Sequence, residues 1–140
     1  MDVAALIAWL VTAVGGFVLL GTWISKGGAR APRTSNFPPA LIFGHFALAA
    51  AGLVVWIIYL VAETSGLAWT AFILLIPTAL LGFVMLARWI PTYRSRTVTA
   101  GPGTTASPEP AEKHFPVPVV VGHGLFAVTT LVLVLIATLD

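Results

Sequence analysis

Residues 12–24 read TAVGGFVLLGTWI, and residues 78–90 read TALLGFVMLARWI. Eight of these thirteen aligned positions are identical: Thr, Ala, Gly, Phe, Val, Leu, Trp and Ile. Leu and Val matches between apolar segments arise by chance, but a Gly and a Trp at the same seven-residue interval do not. The correspondence continues outward. Phe37-Pro38 followed by Gly44-His45 aligns with Phe115-Pro116 followed by Gly122-His123. Beyond them Ala49, Leu53, Val54 and Ile58 align with Ala127, Leu131, Val132 and Ile136. The copies differ in length only in the segment between their two apolar stretches, which is twelve residues longer in the second.

Both quoted stretches sit inside apolar runs, and the chain has four of these, at about 3–24, 39–62, 67–90 and 116–139. Each approaches or exceeds the roughly 20 residues that cross a ~30 Å hydrocarbon core. In lipid every backbone polar group must be satisfied internally, so continuous runs of this length read as helices. The first run has no basic residue ahead of it and carries Gly15-Gly16 at its middle, so it reads as a retained helix rather than a cleaved leader. Of the 140 residues 59% are hydrophobic and 9% charged, against about 25% charged in a soluble domain. A soluble domain this small has too little interior to hide that much apolar surface.

All seven Lys and Arg fall in or beside two of the connections: Lys26, Arg30 and Arg33 in the first, and Arg88, Arg94, Arg96 and Lys113 around the third. The middle connection, Glu63-Thr64-Ser65-Gly66, has none. The positive-inside rule therefore predicts both basic loops in the cytoplasm and both termini outside. The insert at 97–110, TVTAGPGTTASPEP, reads as a flexible loop within a longer connection at 91–115. The expected fold is an all-α integral membrane protein, a four-transmembrane-helix bundle forming one domain. It comprises two tandem two-helix repeats, at 1–63 and 64–140. An even helix count makes the repeats enter the membrane in the same direction, so they are expected to be parallel copies about a pseudo-twofold axis along the membrane normal.

An ionisable side chain in a span is costly and is a functional-site hypothesis. His45 and His123 lie eight residues past Phe37 and Phe115, or about 10–12 Å below the basic-loop boundary at 1.5 Å per residue. Gly16 and Gly82 lie seven residues before Trp23 and Trp89, again roughly 10 Å deep. Two histidines and two glycines are thus expected in one layer. Glycine allows a bulky flat group to approach the backbone. With no cysteine in the chain, disulfides, thiolate clusters and covalent haem attachment are excluded. A metal or cofactor would rest on histidine, carboxylate or packing, and two axial imidazoles suit a low-spin electron-transfer haem.

At this point the pattern resembles the membrane cytochrome b proteins, whose four-helix bundle holds b haems between histidines on the second and fourth helices, with glycines on the first and third. The resemblance implies His45 and His123 as axial metal ligands and Gly16 and Gly82 as the residues that make room for haem b. It implies an electron-transfer protein or oxidoreductase subunit rather than a stand-alone enzyme, with a membrane quinone or redox protein as partner. The chain departs from that family where a second histidine pair is found: Tyr59-Leu60 and Ala137-Thr138 occupy the far ends, so one haem is the most it ligates in this way. Lys26, Arg30, Arg88 or Arg94 are candidates to meet the haem propionates, Arg88 foremost.

Alternatives remain open on the residues alone. The histidines pair with each other or with Thr12 and Thr78 in a haem-free structural or assembly subunit, or they serve another metal or quinone. His114, beside Lys113, reads as solvated, as does Glu63. All five tryptophans read as interfacial or lipid-facing, and Pro77 as a kink in the third helix. No span holds an acid, which leaves carboxylate-driven transport unsupported. The basic loops are short and match topology charges rather than a nucleic-acid surface. Other membrane subunits or a homodimer are the expected protein partners besides the bilayer. The Ala, Gly and Val content suggests a bacterial inner membrane.

Overall fold

A computed structural model describes residues 1–30, 34–95 and 109–140. The Gly/Pro-rich insert up to residue 108, together with Arg33 and Arg96, lies outside them. The described chain is helical, with four helices long and apolar enough to cross a membrane. They are α1 (Asp2–Ser25), α2 (Pro39–Ala62), α3 (Ser65–Arg94) and α4 (Val117–Leu139), with a short 3-10 turn at Ala111–His114 before α4.

The helix boundaries follow from local chemistry. Pro39 and Pro118 stand in the first turns of α2 and α4, where a fixed φ suits the helix and the missing N–H costs nothing, and Pro38 and Pro116 hold the extended N-caps before them. Glu63 ends α2 in the left-handed region at φ 50°, and its N–H closes on the Tyr59 carbonyl, so the chain reverses within a few residues. α3 was expected to end near residue 90 but runs on to Arg94. Pro91 removes the donor to the Ala87 carbonyl, one hydrogen bond near the helix end, and the helix continues through it. At 30 residues α3 is roughly 45 Å long, and it exceeds a ~30 Å core. It also continues unbroken through Pro77.

The helices form a ring in chain order. α1 packs most extensively on α4, and α2 on α3; the α3–α4 seam is intermediate and the α1–α2 seam is the loosest. α2 and α4 are diagonal, as are α1 and α3.

Two apolar clusters close the bundle. At the end bearing the termini, Trp9 and Trp56 pack among Ala5, Ala68, Ala71 and Val134. At the end bearing the long connections, Trp23, Phe37, Trp89 and Phe115 pack around Ala111.

This corrects the placing of the tryptophans at the lipid surface. Only Trp69 is exposed; Trp9, Trp23, Trp56 and Trp89 are buried. Three of the buried indoles find acceptors: Trp23 Nε1 donates to Ser35 Oγ at 2.8 Å, Trp89 Nε1 to the Glu112 carbonyl at 3.1 Å, and Trp56 Nε1 to the Asp2 carbonyl at 3.4 Å. Trp9 lies against Gly52, where a Cβ would stand 3.0 Å from its ring. A buried indole usually pairs its N–H, and a small neighbour leaves it space.

Candidate functional site

Between the two clusters lies a layer in which no residue is fully buried. On α1 nothing between Trp9 and Trp23 is buried; on α2 nothing between Ile42 and Gly52; on α3 nothing between Thr78 and Trp89; on α4 nothing before Thr130. His45 and His123 sit in this layer, half-buried, on the diagonal helices α2 and α4. Their ring centres are 6.2 Å apart, with the planes inclined at 62°.

Each imidazole is fixed by a helix of the other half of the chain. His45 Nδ1 donates to the Thr78 carbonyl of α3 at 2.9 Å, and His123 Nδ1 donates to the Thr12 carbonyl of α1 at 2.9 Å. A carbonyl only accepts, so Nδ1 carries the proton in both rings. In the neutral ring Nε2 then presents its lone pair. No Nε2 hydrogen bond is found for either ring among the described residues, and no buried side-chain nitrogen or oxygen there lacks a partner, so neither Nε2 is sealed in.

The glycines explain how the rings reach those carbonyls. A helical side chain lies over the turn that precedes it, so the residue at i+4 covers the carbonyl of residue i. Gly16 and Gly82 are the i+4 residues of Thr12 and Thr78. A Cβ on Gly16 would meet His123 Cε1 at 3.2 Å, and one on Gly82 would meet His45 Cε1 at 3.4 Å. The neighbouring Gly15 is close too, 3.3 Å from His123 Cβ. The space these glycines leave is filled by the edges of the imidazoles themselves. The Thr12 and Thr78 hydroxyls turn back onto the Ala8 and Leu74 carbonyls of their own helices and so leave the carbonyls of their own residues to the histidines.

The remaining sequence candidates lie elsewhere. Arg88 is exposed on α3, and its Nη1 donates to the Asn36 carbonyl at 3.0 Å, so its contact is with the loop before α2 rather than with the histidine layer. His114 lies 3.6 Å from Glu109, which also pairs with Lys113 at 3.0 Å.

Sequence reasoning missed Glu112. It is fully buried, and its carboxylate accepts from Ser35 Oγ at 2.8 Å and from the Asn36 N–H at 2.6 Å. With the Ala111 N–H donating to the Thr34 carbonyl, these bonds lock the turn at 111–114 onto the first loop. An acid following a Gly/Pro-rich insert gives no sign of such a role; the one clue is that it precedes the repeated Phe-Pro by three residues.

Two imidazoles alone do not complete a four-ligand metal site, and no group of three or more His, Cys, Asp or Glu suited to a metal occurs among the described residues. A macrocycle with four nitrogens of its own needs only two protein ligands. The two rings meet edge to face, 6.2 Å between centres. No protein family, curated protein or solved structure matches this chain.

Proposed function

We propose that this chain is a small membrane b-type cytochrome that holds one haem between His45 and His123 and passes single electrons to or from a membrane quinone or a partner redox protein. The observation that carries the reading is the pair of imidazoles, 6.2 Å between centres, each held by its Nδ1 in a layer without buried side chains. Bound there, haem would supply a low-spin one-electron couple.

The chain's own residues do the rest. The Thr12 and Thr78 carbonyls select the tautomer and fix ring orientation, which raises the basicity of the free nitrogen. Gly16 and Gly82 let each ring lie against its helix. The tryptophan clusters close the bundle above and below the layer. The reciprocal bonds also support the tandem-repeat architecture with its twofold axis along the membrane normal, since Thr12 and Thr78, Gly16 and Gly82, and the two histidines all correspond in the repeat. On the charge rule the basic loops are cytoplasmic, and a bacterial inner membrane is the setting proposed.

The rival reading, a haem-free structural or assembly subunit, draws on the same two bonds, which tie α2 to α3 and α4 to α1 without any cofactor. Detergent-purified protein from haem-supplied cells separates the two. A Soret band and a reduced α-band, both lost in His45→Ala and in His123→Ala, are expected. A colourless preparation refutes the cytochrome, and spectra that survive both substitutions refute these ligands.

A further inference from the structure

Arg88 is left over by the histidine layer, and its surroundings give it another partner. The end of the bundle bearing the long connections has an imbalance of charge. Lys26, Arg30, Arg88 and Arg94 form no ion pair among the described residues. The two acids at this end are both engaged: Glu109 with Lys113 and His114, and Glu112 with Ser35 and the Asn36 N–H. Asp2, Glu63 and Asp140 stand at the opposite end, at the helix termini there. Among the described residues, Lys26, Arg30, Arg88 and Arg94 therefore have no acid left to meet.

Arg88 lines a shallow, open recess of about 480 Å³. Asn36, Thr92 and Ser95 give its lining polar groups, and Ala87, Pro91 and Pro110 apolar ones. Its polar lining is already ordered. Asn36 Nδ2 donates to Thr92 Oγ1 at 3.0 Å, Ser95 Oγ donates to the Thr92 carbonyl at 2.7 Å, and one guanidinium nitrogen is held by the Asn36 carbonyl. A guanidinium has five N–H donors in a planar fork, so most of this one remains free for a two-pronged anion such as phosphate.

The recess stands at the loop-side end of the apolar run of α3, where a span of this length meets the headgroups. Arg88 adjoins Trp89 at the end of the apolar run, and Val84 and Leu80, four and eight residues back on the same helical face, are both exposed. An anion bound at Arg88 thus has an apolar track running from it into the bilayer. A second recess on the other side of Asn36 includes Arg30.

We infer that the recess at Arg88 binds the phosphate of an anionic phospholipid, with an acyl chain laid along Val84 and Leu80. The inference is independent of the haem.

The test is lipid retention by the full chain. Delipidated protein in mild detergent is offered equal amounts of phosphatidylglycerol and phosphatidylcholine, and the bound lipid is read by native mass spectrometry. Phosphatidylglycerol is expected to be preferred, and Arg88→Gln to weaken its retention about tenfold, the scale of one charge-assisted hydrogen-bonded contact. Arg88→Lys, which keeps the charge but loses the fork, should retain an intermediate amount. Arg94→Gln, outside the recess, should behave as the parent. Equal retention of the two lipids overturns the inference, as does an equal loss in Arg94→Gln and Arg88→Gln. Displacement of the lipid by millimolar inorganic phosphate would assign the recess to a soluble anion and overturn the lipid as its occupant.

Discussion

Replacing Gly16 by Ala tests whether the glycines exist to seat the histidines. The new methyl would stand 3.2 Å from His123 Cε1, whereas carbon–carbon contacts are optimal from about 3.5 Å. The ring must withdraw by roughly 0.3 Å. If all of that displacement went into the Nδ1–carbonyl bond, it would stretch from 2.9 Å to about 3.2 Å, the outer edge of a good N–H···O geometry. The bond's net worth is about 1 kcal/mol, so on the proposed cytochrome reading haem affinity should fall by up to about fivefold rather than vanish. A second effect opposes this in the protein's own stability, because Ala is favoured over Gly in a helix by about 0.8–1.0 kcal/mol. The haem-free protein should therefore melt close to the parent, while haem titration followed at the Soret band shows weaker binding. Gly82→Ala meets His45 at 3.4 Å and should do the same more mildly. Gly21→Ala, where nothing lies within 4 Å, should leave haem binding alone. The reasoning is refuted if Gly21→Ala weakens haem binding as much as Gly16→Ala, or if Gly16→Leu, far too large for the space, binds haem like the parent.

Three further outcomes follow from packing. Gly52→Val would drive a branched side chain into Trp9, already 3.0 Å from where a Cβ would be, and should cost about 1–3 kcal/mol in thermal denaturation in detergent. Glu112→Ala leaves the Ser35 hydroxyl and the Asn36 N–H without their acceptor under a buried turn. It should destabilise by about 1–3 kcal/mol and speed proteolytic cleavage at the loop end, and cleavage at the parent rate would count against the lock. Glu63→Gly relieves a side chain held in the left-handed region and should raise the melting temperature modestly, by an amount equivalent to about 0.5–1 kcal/mol.

Much of this architecture is legible in the sequence, because apolar runs of membrane length are a one-dimensional signal. The layer of His45, His123, Gly16 and Gly82 is legible too, since the register from Phe37 and Phe115, or back from Trp23 and Trp89, sets depth without any knowledge of packing. What depth does not reveal is facing. In a helix apolar on all sides no periodicity marks the inner face, so the burial of Trp9, Trp23, Trp56 and Trp89 was hidden. Thr12 and Thr78 were legible as candidate partners of the histidines; that their backbone carbonyls are the acceptors, and which histidine meets which, was not. Glu112 was invisible for another reason. Its partners, Ser35 and Asn36, lie more than 70 residues away along the chain, across a connection whose composition says only loop.

The order in which the helices reach the membrane gives the cross-chain bonds a consequence for biogenesis. α1 and α2 emerge first, yet they share the loosest seam in the bundle, and each has its best packing partner in a helix still to be made. Until α3 arrives, His45 has no carbonyl to hold it and must be satisfied by water or lipid headgroups. The first hairpin should therefore be a poor substrate for stable insertion alone and a natural client for quality control. A chain severed at the turn between Ala62 and Ser65 is, conversely, expected to reassemble from separately expressed halves, because the most extensive interfaces, α1 with α4 and α2 with α3, are the ones that cross the cut.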